Sequence, residues 1–133
     1  MKRTGVLNIE LSSTIASLGH GDRLVIADAG LPIPKGVPCI DLAVALGIPS
    51  LKQVLDAVLE EVCIEQITLA TATEVHNPQL WQQAHEQAQQ NNWHVHLIDH
   101  EAFKMQTTHA RAVVRTGDNI PYTNIILHSG VPF

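Results

Sequence analysis

From Leu51 onward six apolar residues, Leu51, Val54, Leu55, Val58, Leu59 and Val62, recur at i, i+3, i+4, i+7, i+8 and i+11. That spacing lays one continuous stripe along an α-helix, and Ser50, directly after Pro49, supplies the side-chain oxygen that caps its first turn. A helix with a single apolar stripe has to bury it against another element. Upstream, Leu24-Val25-Ile26-Ala27 is a short unbroken apolar run, the pattern of a strand covered on both faces. Downstream, Ile64–Ala70 reads as a strand with Ile67 and Leu69 facing the core.

The alternation continues through the chain. Asn77-Pro78 opens a helix with proline at the position where its missing N–H does no harm. Trp93–Ile98 alternates as a strand, and Asp99 or His100 starts a short helix carrying Phe103. Ala112–Arg115 and Tyr122–Leu127 are two more strands. Near the N-terminus Asn8 caps a helix through Leu18, with a stripe of Ile9, Leu11, Ile15 and Leu18, and Gly19-His20-Gly21 ends it. Two prolines make Asp28–Gly36 a rigid loop. Helix and strand in turn predict an α/β fold: a single three-layer domain over residues 1–133, with a central mostly parallel sheet flanked by helices.

Charge and composition then exclude several classes. Eight Lys+Arg against thirteen Asp+Glu give a net charge of −5, which disfavours nucleic acid and anionic membrane surfaces as partners. Apolar residues at 45% and charged residues at 16% argue against disorder. The longest apolar runs, Leu24–Ala27 and Leu42–Leu46, fall far short of the ~20 residues of a bilayer span. Asn8 and Glu10 interrupt any hydrophobic region behind Lys2 and Arg3, so no signal peptide is expected and the location is read as cytoplasmic. Cys39 and Cys63 form no CxxC pair and are expected to be ordinary buried thiols.

The eight histidines are where chemistry can be sought. His20 stands between two glycines just before a buried strand, and Asp28 stands in the loop after it, a common place for functional groups in α/β folds. Taken alone, His20 reads first as a solvent-exposed turn residue and Asp28 as the cap of the Ala29–Pro34 loop. His94-x-His96 puts two imidazoles on one strand face with His100 nearby, and His109 or His128 could add a ligand, but no HxxxH or HxxE pairing at metal-binding spacing is present. An exposed strand face is the simpler reading, and no metal is predicted. His76 and His85 are read as helix-surface residues. No GxGxxG, GxxxxGK or GxSxG motif is present, so nucleotide, P-loop and serine-hydrolase readings lack their signatures. Pro121-Tyr122-Thr123-Asn124 offers hydroxyl and amide groups suited to a ligand covered in hydroxyls; a plain turn fits it too.

Longer segments carry a likeness. Gly5-Val6-Leu7-Asn8, Leu18-Gly19-His20-Gly21-Asp22 and Ala27-Asp28-Ala29-Gly30-Leu31-Pro32-Ile33-Pro34 resemble the D-ribose pyranases, the ribose branch of the ribose/fucose mutarotase family. The likeness runs on through Ile40–Ala43, Gly47–Ser50, His100–Lys104, Arg115-Thr116-Gly117, Pro121–Leu127 and Gly130–Phe133, end to end. Two departures stand out. Ala70-Thr71-Ala72-Thr73 lacks the acidic pair expected of the family after this strand, and Gly21 replaces the commoner Thr of the ribose branch.

The resemblance implies an isomerase that interconverts pyranose and furanose forms of D-ribose, and speeds anomer exchange, without metal or cofactor. It places the proton donor on His20 and the sugar-binding positions on Asp28, His100, Tyr122, Thr123 and Asn124. It further implies a cytoplasmic homodecamer with sites near subunit boundaries, whose partner besides itself is D-ribose or a similar monosaccharide. The chemistry agrees with those residue types, because ring opening needs only proton transfers, and an imidazole with an ordinary pKa of ~6.5 exchanges protons near neutral pH. The alternatives are a fucose-type mutarotase and a non-catalytic sugar-binding accessory protein; a titrating residue at His20 favours the enzyme.

Overall fold

The computed structural model describes residues 1–133. In chain order the elements are α1 (Ile9–Ser17), β1 (Arg23–Ala27), β2 (Cys39–Asp41), α2 (Leu51–Leu59), β3 (Ile64–Ala70), α3 (Thr73–His76), α4 (Pro78–Asn91), β4 (His94–Ile98), α5 (His100–Thr107), β5 (Ala112–Arg115) and β6 (Ile125–Ser129). All six strands join one sheet in the order β2-β5-β1-β6-β3-β4. Five run parallel to one another, and β6 alone is antiparallel, to both β1 and β3. The expected three-layer α/β architecture with a mostly parallel sheet is therefore the one observed.

Two cores cover the two faces of the sheet, as the unbroken apolar runs require. The larger one packs Leu24, Ile26, Ile67, Leu69, Ile125 and Leu127 beneath α1, α2 and α4. Its main contributor is the α2 stripe, with Leu51, Val54, Leu55 and Val58 all buried. The Ser50 side chain accepts the Gln53 N–H while the Gln53 side chain accepts the Ser50 N–H, a complete capping box. The smaller core gathers Val25, Ala27, Ala70, Val113 and Ile126 around the fully buried Phe103 of α5. Asn8, Asn77 and Asp99 cap α1, α4 and α5 through their side chains, as read from the sequence.

Several expectations are corrected. Cys39 and Cys63 are exposed, not buried. Cys39 lies on the short edge strand β2, where only the middle residue Ile40 points inward, and Cys63 lies in the turn before β3. Ile9 is 84% exposed, so Leu11 is the only buried residue of α1, with Ile15 and Leu18 packed partway. Tyr122–Asn124 is not strand: Tyr122 has φ +60, incompatible with an extended chain, and β6 begins at Ile125. In the 19–21 turn the left-handed residue is Gly21 at φ +80. Strand β2 and the one-turn helix α3 were not foreseen, since three or four residues carry too little periodicity to register.

Candidate active site

A cleft lies at the end of the sheet where the parallel strand β1 finishes and β6 begins. Asp28 directly follows β1 and Asn124 directly precedes β6, so the antiparallel β1–β6 pairing sets them side by side. The Asp28 N–H donates to Asn124 Oδ1 and Asn124 Nδ2 donates to Asp28 Oδ2, each at 2.9 Å. This fixes which way the amide points, because an N–H can only donate and an ionised carboxylate can only accept. The Gly30 N–H donates to Asp28 Oδ1 at 2.9 Å, folding the loop back over the carboxylate. Each carboxylate oxygen thus has one protein donor and keeps room to accept another from a ligand.

Leu31, Pro32, His100, Pro121 and Tyr122 wall this centre into a cavity of about 280 Å³, at the small end of ligand pockets. His100 enters as the first residue of α5, a helix held against the sheet by Phe103. Its ring meets Tyr122 edge-on at 4.8 Å and 84°. His100 Nδ1 is buried without a hydrogen-bond partner in the chain, an atom that a polar ligand would satisfy.

Tyr122 sits in the left-handed region, costly for a residue with a side chain and often associated with functional sites. Its neighbours hold it there. The Thr73 hydroxyl, on α3, donates to the Tyr122 carbonyl at 2.9 Å, and the ring of His76, an exposed helix residue as expected, lies 4.5 Å from the Tyr122 ring. The Ala70–Thr73 stretch leads directly into this support.

The structure brings together Asp28, His100, Tyr122 and Asn124, but not the other two candidates. Thr123 is 1% exposed and its hydroxyl accepts from Asn77 Nδ2 at 2.9 Å, which turns the side chain toward α4 and away from the cleft. His20 lies at the opposite end of the strands, before the start of β1. The five-residue strand β1 separates it from Asp28, a span of roughly 16 Å at ~3.3 Å per residue. There the Asp22 carboxylate accepts the Gly19 N–H at 2.9 Å, and the Gly21 N–H donates to the Ser129 carbonyl at 2.8 Å. His20 Nε2 is 2.8 Å from Glu65 Oε2.

Sequence reasoning missed three residues around these sites. Asp118 is buried, with Oδ2 accepting the Leu51 N–H at 2.9 Å and Oδ1 accepting the Ile120 N–H at 3.1 Å. It joins the start of α2 to the loop that continues into the cleft. Thr73 and Glu65 complete the set; the contacts that tie Asp118 to α2, Thr73 to Tyr122 and Glu65 to His20 each join residues distant in sequence, so nothing local signals them. Of the remaining histidines, His94 and His96 do share a face of β4, opposite Gln66 and Thr68. No group of three His, Cys, Asp or Glu side chains is placed to hold a metal ion. His128 is buried against Thr68 Oγ1 at 2.9 Å, and burial, reinforced by Arg23 and His96, lowers its pKa to about 4.

The model of the RbsD / FucU transport protein family matches residues 1–132. The chain belongs to this family. Among RbsD/FucU relatives, it is 47% identical over 133 residues to a D-ribose pyranase of Bacillus licheniformis, and 50% identical over 139 residues to one of Glaesserella parasuis. In both comparisons the whole of each chain is covered. Bacillus subtilis RbsD complexed with D-ribose superposes with a TM-score of 0.94 at 38% identity, again over the whole of both chains. The fucose mutarotase of Streptococcus pneumoniae, in complex with L-fucose, superposes at 0.81 with 24% identity over both full chains, a likeness of fold.

Proposed function

We propose that this protein is a D-ribose pyranase, an isomerase that interconverts the pyranose and furanose forms of D-ribose. The observation that carries the reading is the cleft itself, a carboxylate with free acceptor capacity and an unpartnered buried imidazole nitrogen beside a constrained tyrosine, in a chain nearly half identical to D-ribose pyranases. Asp28 and Asn124 hold sugar hydroxyls, Tyr122 covers one side of the ring, and His100 offers Nδ1 to a further hydroxyl. In Thr123 only the backbone is available to a ligand.

Isomerisation needs no oxidant and no external nucleophile. A proton is delivered to the ring oxygen O5 and one leaves the anomeric hydroxyl, the C1–O5 bond breaks, and the open aldehyde results. The 4-hydroxyl then attacks C1, closing the furanose as its proton is passed on and the aldehyde oxygen is protonated. We assign the proton transfers to His20. An imidazole serves both directions near neutral pH, and such help is worth ~10²–10⁴-fold.

Because His20 and Asp28 lie at opposite ends of β1, a sugar touched by both has to sit between two copies of the chain. That requirement supports an assembly, and we propose the homodecamer of the family. Val44 and Leu46, 82% and 74% exposed, offer it apolar surface beside the cleft. A cytoplasmic location completes the reading; no helix is long and apolar enough to cross a membrane.

The test is NMR saturation transfer between ring forms, with ribose and fucose at equal enzyme concentration, on protein sized by light scattering. Faster pyranose–furanose exchange of ribose by a large closed oligomer is expected. Catalysis confined to fucose, or full activity from a monomer, would overturn the substrate or the shared-site reading respectively.

A further inference from the structure

Strand β3 carries an irregularity opposite β6. Ile64 pairs with Ser129 and Gln66 pairs with His128, so two steps along β3 match one step along β6, and Glu65 is the extra residue. A bulge of this kind takes one side chain out of the alternation and re-aims it. Here the re-aimed group is a carboxylate, and it meets His20: Glu65 Oε2 lies 2.8 Å from His20 Nε2.

The space for it is made by Gly130. A Cβ there would lie 3.2 Å from Glu65 Cβ, tighter than an ordinary contact, so a side chain at this position would require Glu65 to shift by a few tenths of an ångström. The same end of β6 also anchors the imidazole's own turn, since Ser129 accepts the Gly21 N–H and donates its own N–H to the Asp22 carbonyl, both at 2.8 Å. Acid and imidazole thus hang from one rigid strand end, although their sequence positions differ by 45.

We propose that Glu65 is the positioning residue of His20, holding Nε2 so that Nδ1 is the nitrogen presented to the sugar. This rests on the reading of His20 as the proton donor. Both side chains are about half exposed in the single chain, so the pair adds little to folding stability; its consequence is orientation. A carboxylate on one ring nitrogen selects the tautomer protonated there and leaves the other nitrogen bare, ready to take a proton from a hydroxyl and return it to the ring oxygen. Glu65 itself touches neither the sugar nor the cleft of its own chain.

The experiment compares Glu65→Gln with His20→Gln by three readouts: ribose exchange at saturating sugar, ribose affinity by calorimetry, and the ¹⁵N shifts of the His20 ring. Gln keeps the length of Glu65 and removes its charge. Glu65→Gln is expected to slow exchange by roughly 10-fold, to leave affinity unchanged, and to move the His20 ring-nitrogen shifts away from the single Nε2-protonated tautomer. Wild-type exchange or unmoved ring shifts in Glu65→Gln, beside an inactive His20→Gln, would overturn the positioning role and leave the donor in place. Normal exchange by His20→Gln would instead remove the donor, and the role of Glu65 with it.

Discussion

Asn124 and Asp28 exchange two hydrogen bonds across 96 positions of sequence, one through the Asp28 backbone and one through its carboxylate. The pair is buried, so each bond replaces water that could not otherwise reach those groups. The arrangement does two jobs at once: it closes the end of the β1–β6 pairing, and it fixes the carboxylate on which the sugar reading depends.

Removing that clasp should therefore be felt in binding as well as in stability. In Asn124→Ala the Asp28 N–H loses its partner and the carboxylate loses a donor, at a cost of ~1–3 kcal/mol for an unsatisfied buried group. Ribose affinity by calorimetry should fall by ~10-fold or more, together with the melting temperature. Unchanged affinity would show that Asp28 is not oriented by Asn124.

Phe103 fastens α5, and through it His100, to the sheet. Phe103→Ala should destabilise the protein by ~3–5 kcal/mol, while Phe103→Leu should lose less. In the milder variant we expect KM for ribose to rise while kcat changes little, because the helix that loosens carries His100, the proposed binding group. Exchange rates measured across a ribose concentration series separate the two effects.

Asp118 takes the buried N–H of Leu51 at the start of α2. Asp118→Ala leaves that N–H without a partner inside the larger core, and a loss of ~1–3 kcal/mol follows. Asp118→Asn, which keeps an acceptor oxygen, should restore part of it. Thermal denaturation of the three proteins decides the ranking.

His128 makes stability depend on acid. Its folded pKa of about 4 lies below the ordinary 6.5, chiefly because it is buried, with Arg23 and His96 adding to the effect and Glu65 opposing it. Above ~6.5 the imidazole is neutral folded or unfolded, and its contribution is fully present. As pH falls from there through about 4, the unfolded chain takes up a proton that the folded chain resists, and stability is lost. The melting-temperature difference between wild type and His128→Gln should therefore be constant above ~6.5 and move against the wild type as pH falls through this window; a difference independent of pH would show that His128 is not held neutral.

Turnover is expected to need no metal. Protein dialysed against a chelator should exchange ribose forms at the untreated rate. Loss of activity that zinc restores would send attention back to His94 and His96.

What could be read in advance divides along a physical line. The α2 stripe from Leu51 to Val58, the Ser50 and Asn77 caps, and the doubly covered run Leu24–Ala27 are set by contacts within a few residues of each other, and periodicity reports such contacts directly. These elements and their α/β order were legible in the sequence. The resemblance to the D-ribose pyranases added the cleft residues Asp28, His100, Tyr122 and Asn124. Spacing alone had left them as plausible loop positions, since nothing local distinguishes a capping aspartate from a binding one.

Only the tertiary structure could decide the rest. That Thr123 turns toward Asn77 while Asn124 turns toward Asp28 depends on where β6 begins, which the left-handed Tyr122 sets and Thr73 and His76 support. That His20 and Asp28, eight positions apart, stand at opposite ends of the sheet's strands follows from β1 lying fully extended between them. Glu65 meets His20 because a single bulge breaks a register. Local sequence specifies which backbone conformation each segment prefers; the partners of its polar side chains are chosen by strand order and register, and those are properties of the packed sheet.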